Sequence, residues 1–175
     1  MTMTVMTIPE RIDPSTTAGE REMLESWLEF HRETLALKCA GLDEEQLREP
    51  AVPPSDLSLL GLVRHMTEVE RGWFHRVLSD EHAPPLYFSD ENPDGDIHVT
   101  GQDTWEEAHA AWRAAIDRAR ELAAPHSLDY IGEGKHRSGK PYNLRWIYVH
   151  MIEEYARHNG HADLLRERID GTTGD

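Results

Sequence analysis

The last quarter of the chain constrains the fold most, because it is a long run without proline that repeats with the period of an α-helix. From about Asn143 to Ile169, one face collects residues at alternating spacings of four and three: Ile147, Met151, Glu154, His158, His161 and Leu165. Residues at these spacings share one side of a helix. The pattern predicts a helix of about seven turns, which Gly171 closes. Three members of this inward face can ionise, so the pattern indicates a functional site in addition to a packed core.

Three earlier segments show the same amphipathic period and are separated by proline and glycine. They run from about 18 to 40, from about 55 to 78 and from about 103 to 124, and 131–142 is typical of a turn or short hairpin. Four such helices predict an all-α fold, a four-helix bundle in one domain over residues 1–175. We expect its core over about residues 18–170, a flexible N-terminal tail, and one long crossover loop from Ser79 to about Gln102.

The acidic composition narrows the range of partners. The chain carries a formal net charge of −15, which argues against nucleic acid because phosphate binding needs clustered cations. Apolar residues nowhere form a run of about 18, so no membrane span is expected. A single cysteine and the absence of a basic segment followed by an apolar one at the start favour a cytoplasmic protein without a secretory signal. We expect a small-molecule substrate, and a homodimer is compatible with an exposed helix face.

The ionisable residues on the last helix predict a metal site. Glu154 and His158 are one helical turn apart and lie on the same face, so they can bind one ion together. A carboxylate buried without a partner is costly, which favours a bound cation. His65, on the apolar face of the second predicted helix, is the candidate third ligand. His150 lies at the edge of the same site, and His31 on the first helix is a weaker candidate.

Other interpretations of these residues stay open. Glu154 and His158 could form a buried ion pair, or a general acid and base pair that needs no metal. One carboxylate and two imidazoles suit Zn²⁺, Ni²⁺ or Fe²⁺, and the ligand types alone do not rank these ions. We take Zn²⁺ as the first expectation.

A basic cluster precedes the last helix and continues into its first turn. It consists of Lys135, His136, Arg137, Lys140 and Arg145. A helix N-terminus adds partial positive charge there, so the cluster predicts an anion clamp in which Arg137 and Arg145 bind the substrate. The alternative is a solvated turn balanced by nearby acids. Most of the five tryptophans are interpreted as core residues, with Trp73 as a wall of the substrate pocket and His150 beside it.

Three segments carry a resemblance to a known family. They are LRWIYVHMIEEYARHNGHADLLRE (Leu144–Glu167), LLGLVRHMTEVERGWF (Leu59–Phe74) and AWRAAIDRARELA around Trp112. These segments resemble the last, second and third helices of the DinB-like superfamily, in particular its actinobacterial mini-circle-type branch. The resemblance implies a four-helix bundle with three metal ligands.

Many members of this superfamily use three histidines, and this chain has Glu154 in place of one of them. That departure is similar to the His-Glu-His set of mycothiol-dependent maleylpyruvate isomerase, a metal enzyme of the same superfamily. By position, the resemblance implies that the ligands are His65, Glu154 and His158.

The resemblance also implies an activity: a transferase or isomerase that uses a low-molecular-weight thiol, such as mycothiol, at a divalent metal. An open metal position can hold a thiolate as nucleophile. It can equally activate water, so a metal-dependent hydrolase is the alternative. A noncatalytic metal- or small-molecule-binding stress protein is a further alternative. An anionic substrate would suit the basic cluster.

Overall fold

Five α-helices build the fold in the computed structural model, which describes residues 10–174. They are α1 (Glu20–Cys39), α2 (Glu44–Arg48), α3 (Leu59–Glu70), α4 (Trp105–Ala123) and α5 (Leu144–Asp170). The chain continues from α3 without a break into a π-helical segment, Arg71–Leu78, and the two together form the second long helix. Within the described range no strand forms, and the predicted hairpin is reduced to a single antiparallel bridge between Ile131 and Asn143. The all-α DinB-like bundle with its long crossover loop is confirmed.

Capping side chains set the starts of α3 and α4, which lie slightly later than the predicted starts at about 55 and 103. Ser58 caps α3 by accepting from the Gly61 amide at 3.1 Å. Thr104 rather than Asp103 caps α4, because the Asp103 carboxylate instead accepts from Thr100 and pairs with Arg64. The spacing of apolar residues alone does not show which of several neighbouring polar side chains caps a helix.

The end of α5 agrees with the prediction. Asn143 caps its start by accepting from the Trp146 amide at 2.9 Å. Gly171 closes it with φ 78°, a left-handed conformation that glycine adopts without strain.

The four long helices enclose one apolar core. α1 packs mainly along α5, and α3 with its π-helical segment packs along α4. Trp112 is completely buried, but Trp27 and Trp146 are 40% and 42% exposed. Trp73 and Trp105 are half-buried and pack against the core. The interpretation of most tryptophans as core residues therefore holds for three of the five and is wrong for Trp27 and Trp146.

A buried ion pair connects the four long helices inside this core. Arg32 on α1 donates to both carboxylate oxygens of Glu70 on α3, at 2.7 and 2.8 Å, and the two residues are only 2% and 0% exposed. The Tyr155 hydroxyl of α5 donates to Glu70 at 2.7 Å, and the Trp112 indole of α4 donates to Tyr155 at 2.9 Å. Burial and the adjacent Glu70 carboxylate raise the pKa of Tyr155 well above its ordinary value, so the hydroxyl stays protonated as a donor.

The predicted flexible N-terminal tail lies partly on residues 1–9, outside the described range. Of the residues that follow, Arg11 places its guanidinium 4.5 Å from the centre of the Phe30 ring and donates to Thr34 at 3.3 Å. Over residues 10–174, the helices are too short or too polar to cross a bilayer.

We expect Arg32→Ala to lower the free energy of unfolding by about 3–5 kcal/mol, because Glu70 would be left as a buried charge without its cation. Urea unfolding followed by circular dichroism measures this loss. The matched control is Arg113→Ala, which removes a more exposed arginine bound to Glu33 at 2.6 Å and should cost less than about 1 kcal/mol.

The double variant Arg32→Met/Glu70→Leu should recover most of the stability, because no unpaired charge is then buried. Equal losses in Arg32→Ala and the control would contradict the importance of this pair.

Candidate metal centre

Three predicted ligands from two helices meet at one edge of the bundle. His65 comes from α3, Glu154 and His158 come from α5, and one ligand atom of each lies within 4.8 Å of the others. Glu154 Oε2 is 3.5 Å from His158 Nε2, and the His65 and His158 ring centres are 4.7 Å apart. Zn²⁺ bonds to nitrogen and oxygen at about 2.0–2.2 Å, so a small contraction would bring all three atoms to one ion. Their role as ligands stays a prediction, and the geometry fits it.

The triad does not lie in the buried seam of α5, where the spacing placed it. That seam passes through Tyr155, Asn159 and Ala162. The Glu154 and His158 side chains lie beside it and keep 17% and 12% of their area exposed. Alternating spacings of three and four fit two adjacent stripes of a helix, and the large Tyr155 ring occupies the inner one. The triad is thus accessible from solvent on one side, as substrate binding requires.

An aspartate that the sequence analysis missed orients His65. Asp96 Oδ2 is 2.7 Å from His65 Nδ1, and Asp96 is itself buried. Burial alone would raise the pKa of this carboxyl, but the hydrogen bond from His65 holds it below its ordinary value. Because the ionised carboxylate accepts from Nδ1, the lone pair of His65 Nε2 is left for a metal. Carboxylates behind ligating histidines commonly fix the ring in this way.

Asp96 lies next to His65 because side chains of α3 form hydrogen bonds with the backbone of the crossover loop. Glu68 accepts from the backbone amides of Leu86 and Tyr87 at 2.5 and 2.9 Å. Arg64 donates to the Gly95 carbonyl at 2.8 Å, directly before Asp96. Long loops without secondary structure often shape functional sites, and the length of this loop is the sequence feature that indicates a site here.

The environment of His158 favours the neutral imidazole that binds metals. Burial and the neighbouring His65 and His161 rings lower the pKa of His158 to about 4. His161 Nδ1 lies 3.3 Å from His158 Nδ1. When the proton is on His158 Nδ1, this nitrogen donates a hydrogen bond to His161 Nδ1. His158 Nε2, on the side of Glu154, is then free to bind a metal. His31 instead contacts Asn159, through a ring nitrogen 3.4 Å from its side-chain amide.

A second group of possible ligands overlaps the first. His150, Glu153 and Glu154 also bring ligand atoms within 4.8 Å of one another. Glu153 is 44% exposed and already forms an ion pair with Arg157. The triad with His65 is therefore the better-enclosed cation site.

A cavity of about 350 Å³, here called the His65 cavity, opens beside the triad. Its lining is His65, Glu68, Val69, Gly72, Trp73, Arg76, Val77, Phe88, Asp96, Lys135, His136 and Arg137. The predicted substrate residues Trp73 and Arg137 thus face the same space as His65. His150 stands behind Trp73, with ring centres 4.7 Å apart and its Nε2 3.4 Å from Glu154.

The residues of the predicted anion clamp lie at different places in the structure. Arg145 forms ion pairs with Glu20 and Asp129 and is not among the residues lining the His65 cavity. Lys140 lines a separate groove beside Trp146. Only the Lys135–Arg137 part of the cluster faces the candidate metal site.

The comparison with protein families matches this architecture. The family model of mycothiol-S-transferases matches residues 23–171, which include all five helices apart from the first turn of α1. The chain belongs to the mycothiol-S-transferase family. This family is part of the DinB-like superfamily, so the resemblance read from the three segments is confirmed. No curated protein matches the sequence.

In this mycothiol-S-transferase family member, we expect Asp96→Asn to weaken Zn²⁺ binding by about 10- to 100-fold, because His65 would lose the acceptor that fixes its tautomer. Competition with a chromophoric chelator measures the change. The matched control is Asp94→Asn, an exposed position two residues earlier in the same loop, which should bind Zn²⁺ like the parent protein. Equal affinities for all three proteins would contradict the role of Asp96.

Proposed function

We propose that the protein is a divalent-metal-dependent transferase that joins mycothiol to an electrophile, with the metal held by His65, Glu154 and His158. The observation that carries the proposal is the convergence of these three side chains within 4.8 Å in a chain that matches the mycothiol-S-transferase family over its bundle. Zn²⁺ is the first candidate for the metal, and Ni²⁺ or Fe²⁺ are the alternatives.

The residues around the triad suit such a site in three ways. Asp96 fixes the ring of His65, and His161 can do the same for His158. The lowered pKa of His158 keeps that ring neutral at physiological pH. A bound metal with an open position would lower the pKa of a thiol and hold the thiolate ready for attack. The His65 cavity leaves room next to this position for a second substrate.

The transfer is a substitution at carbon. The sulfur of mycothiol forms a bond to the electrophilic carbon, and the leaving group departs with the bonding electron pair. The proton of the thiol passes to solvent. Asp96 and His161 act in this scheme as positioning residues, since both contact a ligand and neither touches the reacting atoms.

Two other activities fit a metal at this triad. An isomerase would use the same thiol without losing a leaving group, and a hydrolase would use water. The family match favours the thiol, and the transferase is the activity that the family description names.

We expect the purified protein to contain about one divalent metal per chain, and Glu154→Gln to lose it, because a neutral amide is a poor substitute for a carboxylate ligand. Elemental analysis by mass spectrometry measures the content. Glu153→Gln is the matched control, since it removes the same charge from the neighbouring residue and belongs only to the alternative ligand group. Metal loss in Glu153→Gln with retention in Glu154→Gln would overturn the ligand assignment.

Cobalt substitution tests the thiol itself. On adding mycothiol to the Co²⁺ protein, we expect a new sulfur-to-cobalt charge-transfer band, because the thiolate would enter the open position. An unchanged spectrum, together with hydrolysis of an activated ester by the Zn²⁺ protein, would favour the hydrolase instead.

A further inference from the structure

The His65 cavity combines an apolar wall with a cationic rim. Val69, Trp73, Val77 and Phe88 contribute side chains without charge, and Lys135 and Arg137 stand at the outer side. Its volume of about 350 Å³ is near the lower end of the range of about 300–1,000 Å³ for small-molecule pockets. The cavity therefore suits a compound built around a single ring.

The two cations of the rim have no ion-pair partner in the part of the chain that the structure describes. Within residues 10–174, neither Lys135 nor Arg137 forms a hydrogen bond or an ion pair. The chain contains 33 acidic residues against 18 basic ones, so carboxylates are in excess. Most arginines use them, as Arg145 does with Glu20 at 2.6 Å. Two adjacent cations left without a carboxylate at a cavity are available to a ligand.

The backbone holds this rim against the π-helical segment. The Glu133 amide donates to the Leu78 carbonyl at 3.1 Å, and the Gly134 amide donates to Val77 at 3.0 Å. The approach is so close that a Cβ on Gly134 would lie 1.7 Å from the Arg76 carbonyl oxygen. Lys135 and Arg137 follow directly, so their position over the cavity is defined by the fold.

The two carboxylates that line the cavity, Glu68 and Asp96, do not neutralise the positive charge of the rim. Asp96 is engaged by His65 at 2.7 Å. Glu68 accepts from two backbone amides and has Arg76 at 4.0 Å from its other oxygen. Glu68 Oε2 has no hydrogen-bond partner among the described residues, and its charge is balanced by Arg76. Neither carboxylate of the lining therefore forms an ion pair with Lys135 or Arg137.

We infer that the His65 cavity binds the electrophilic co-substrate and selects compounds that join an acid group to an apolar body. The apolar body packs against Trp73 and its neighbours, the acid group reaches Lys135 and Arg137, and the reactive carbon points to His65. This inference rests on the proposed function for the chemistry. The binding preference can be measured without turnover.

The probes are a chloronitrobenzoate and the corresponding chloronitrobenzamide, which share ring and leaving group and differ in charge. Calorimetry without thiol, on the metal-containing protein, gives both dissociation constants. We expect Lys135→Gln/Arg137→Gln to weaken benzoate binding about five- to tenfold, because two solvent-exposed ionic contacts are lost. Amide binding should not change. Added salt should weaken the benzoate only.

The matched control is Arg118→Gln/Arg168→Gln, which removes two cations outside the cavity. Its net charge equals that of the rim variant, so it reports any effect of overall charge. Equal affinity of the parent protein for benzoate and amide would overturn the inference. Equal losses of benzoate binding in the two double variants would also overturn it.

Turnover separates this inference from the proposed function. With mycothiol, sulfur replaces chloride on the ring, chloride leaves with the electron pair, and the thiol proton goes to solvent. We expect the rim variant to lose kcat/KM about five- to tenfold for the benzoate and to keep that for the amide. Selective benzoate binding with no transfer to either probe would support the cavity's preference and count against the proposed transferase. Transfer to both probes with no charge preference would support the transferase and overturn the inference.

Discussion

The buried contact between Arg32 and Glu70 is the interaction on which the geometry of the bundle depends. A carboxylate with no solvent access is tolerated only when its charge and its lone pairs are satisfied. Here Arg32 of α1 and Tyr155 of α5 are the partners of Glu70, and Trp112 of α4 donates in turn to Tyr155. Glu70 follows His65 by less than two turns on the same helical unit, and Tyr155 directly follows Glu154. The network therefore fixes α3 and α5 from the inside at the level where their outer edges bring the candidate ligands together.

Two loops complete the site from outside, and both are held by α3 and its π-helical continuation. Glu68 and Arg64 hold the crossover loop, which brings Asp96 to His65. The carbonyls at the end of the π-helical segment accept from the loop before α5, which brings Lys135 and Arg137 over the cavity. The last carbonyls of a helix have no intrahelical partner, so Val77 and Leu78 at the end of this segment offer theirs for such a contact. One helical unit thus supplies a ligand, the support of that ligand and the anchor of the cavity rim.

The parts of this arrangement that follow from local periodicity could be predicted from the sequence, and the parts that depend on tertiary contacts could not. The four long helices and the proximity of Glu154 to His158 follow from spacings of three and four, which one helix determines by itself. Asp96 was missed because it is one of several acids in a loop whose path is set by contacts with Glu68 and Arg64. Lys135 and Arg137 could not be separated from Arg145, because only the folded chain shows which cation has met a carboxylate.

The net charge of the chain is negative and the rim of the cavity is positive. Which of the two dominates the interaction with a ligand depends on the distance of the ligand from the charges. The net charge of −15 repels an anionic compound in the bulk, but at physiological ionic strength such repulsion is largely screened beyond about 8 Å. Among the described residues that line the His65 cavity, Lys135 and Arg137 are the cations without an ion-pair partner, and an acid group bound against them lies well within that distance. A triad with one carboxylate and two neutral imidazoles would leave a bound divalent ion with net positive charge, which adds attraction in the same direction. An acid group on the co-substrate would therefore be favoured both at the rim and by the site behind it, and the acidic outer surface would oppose its binding only weakly.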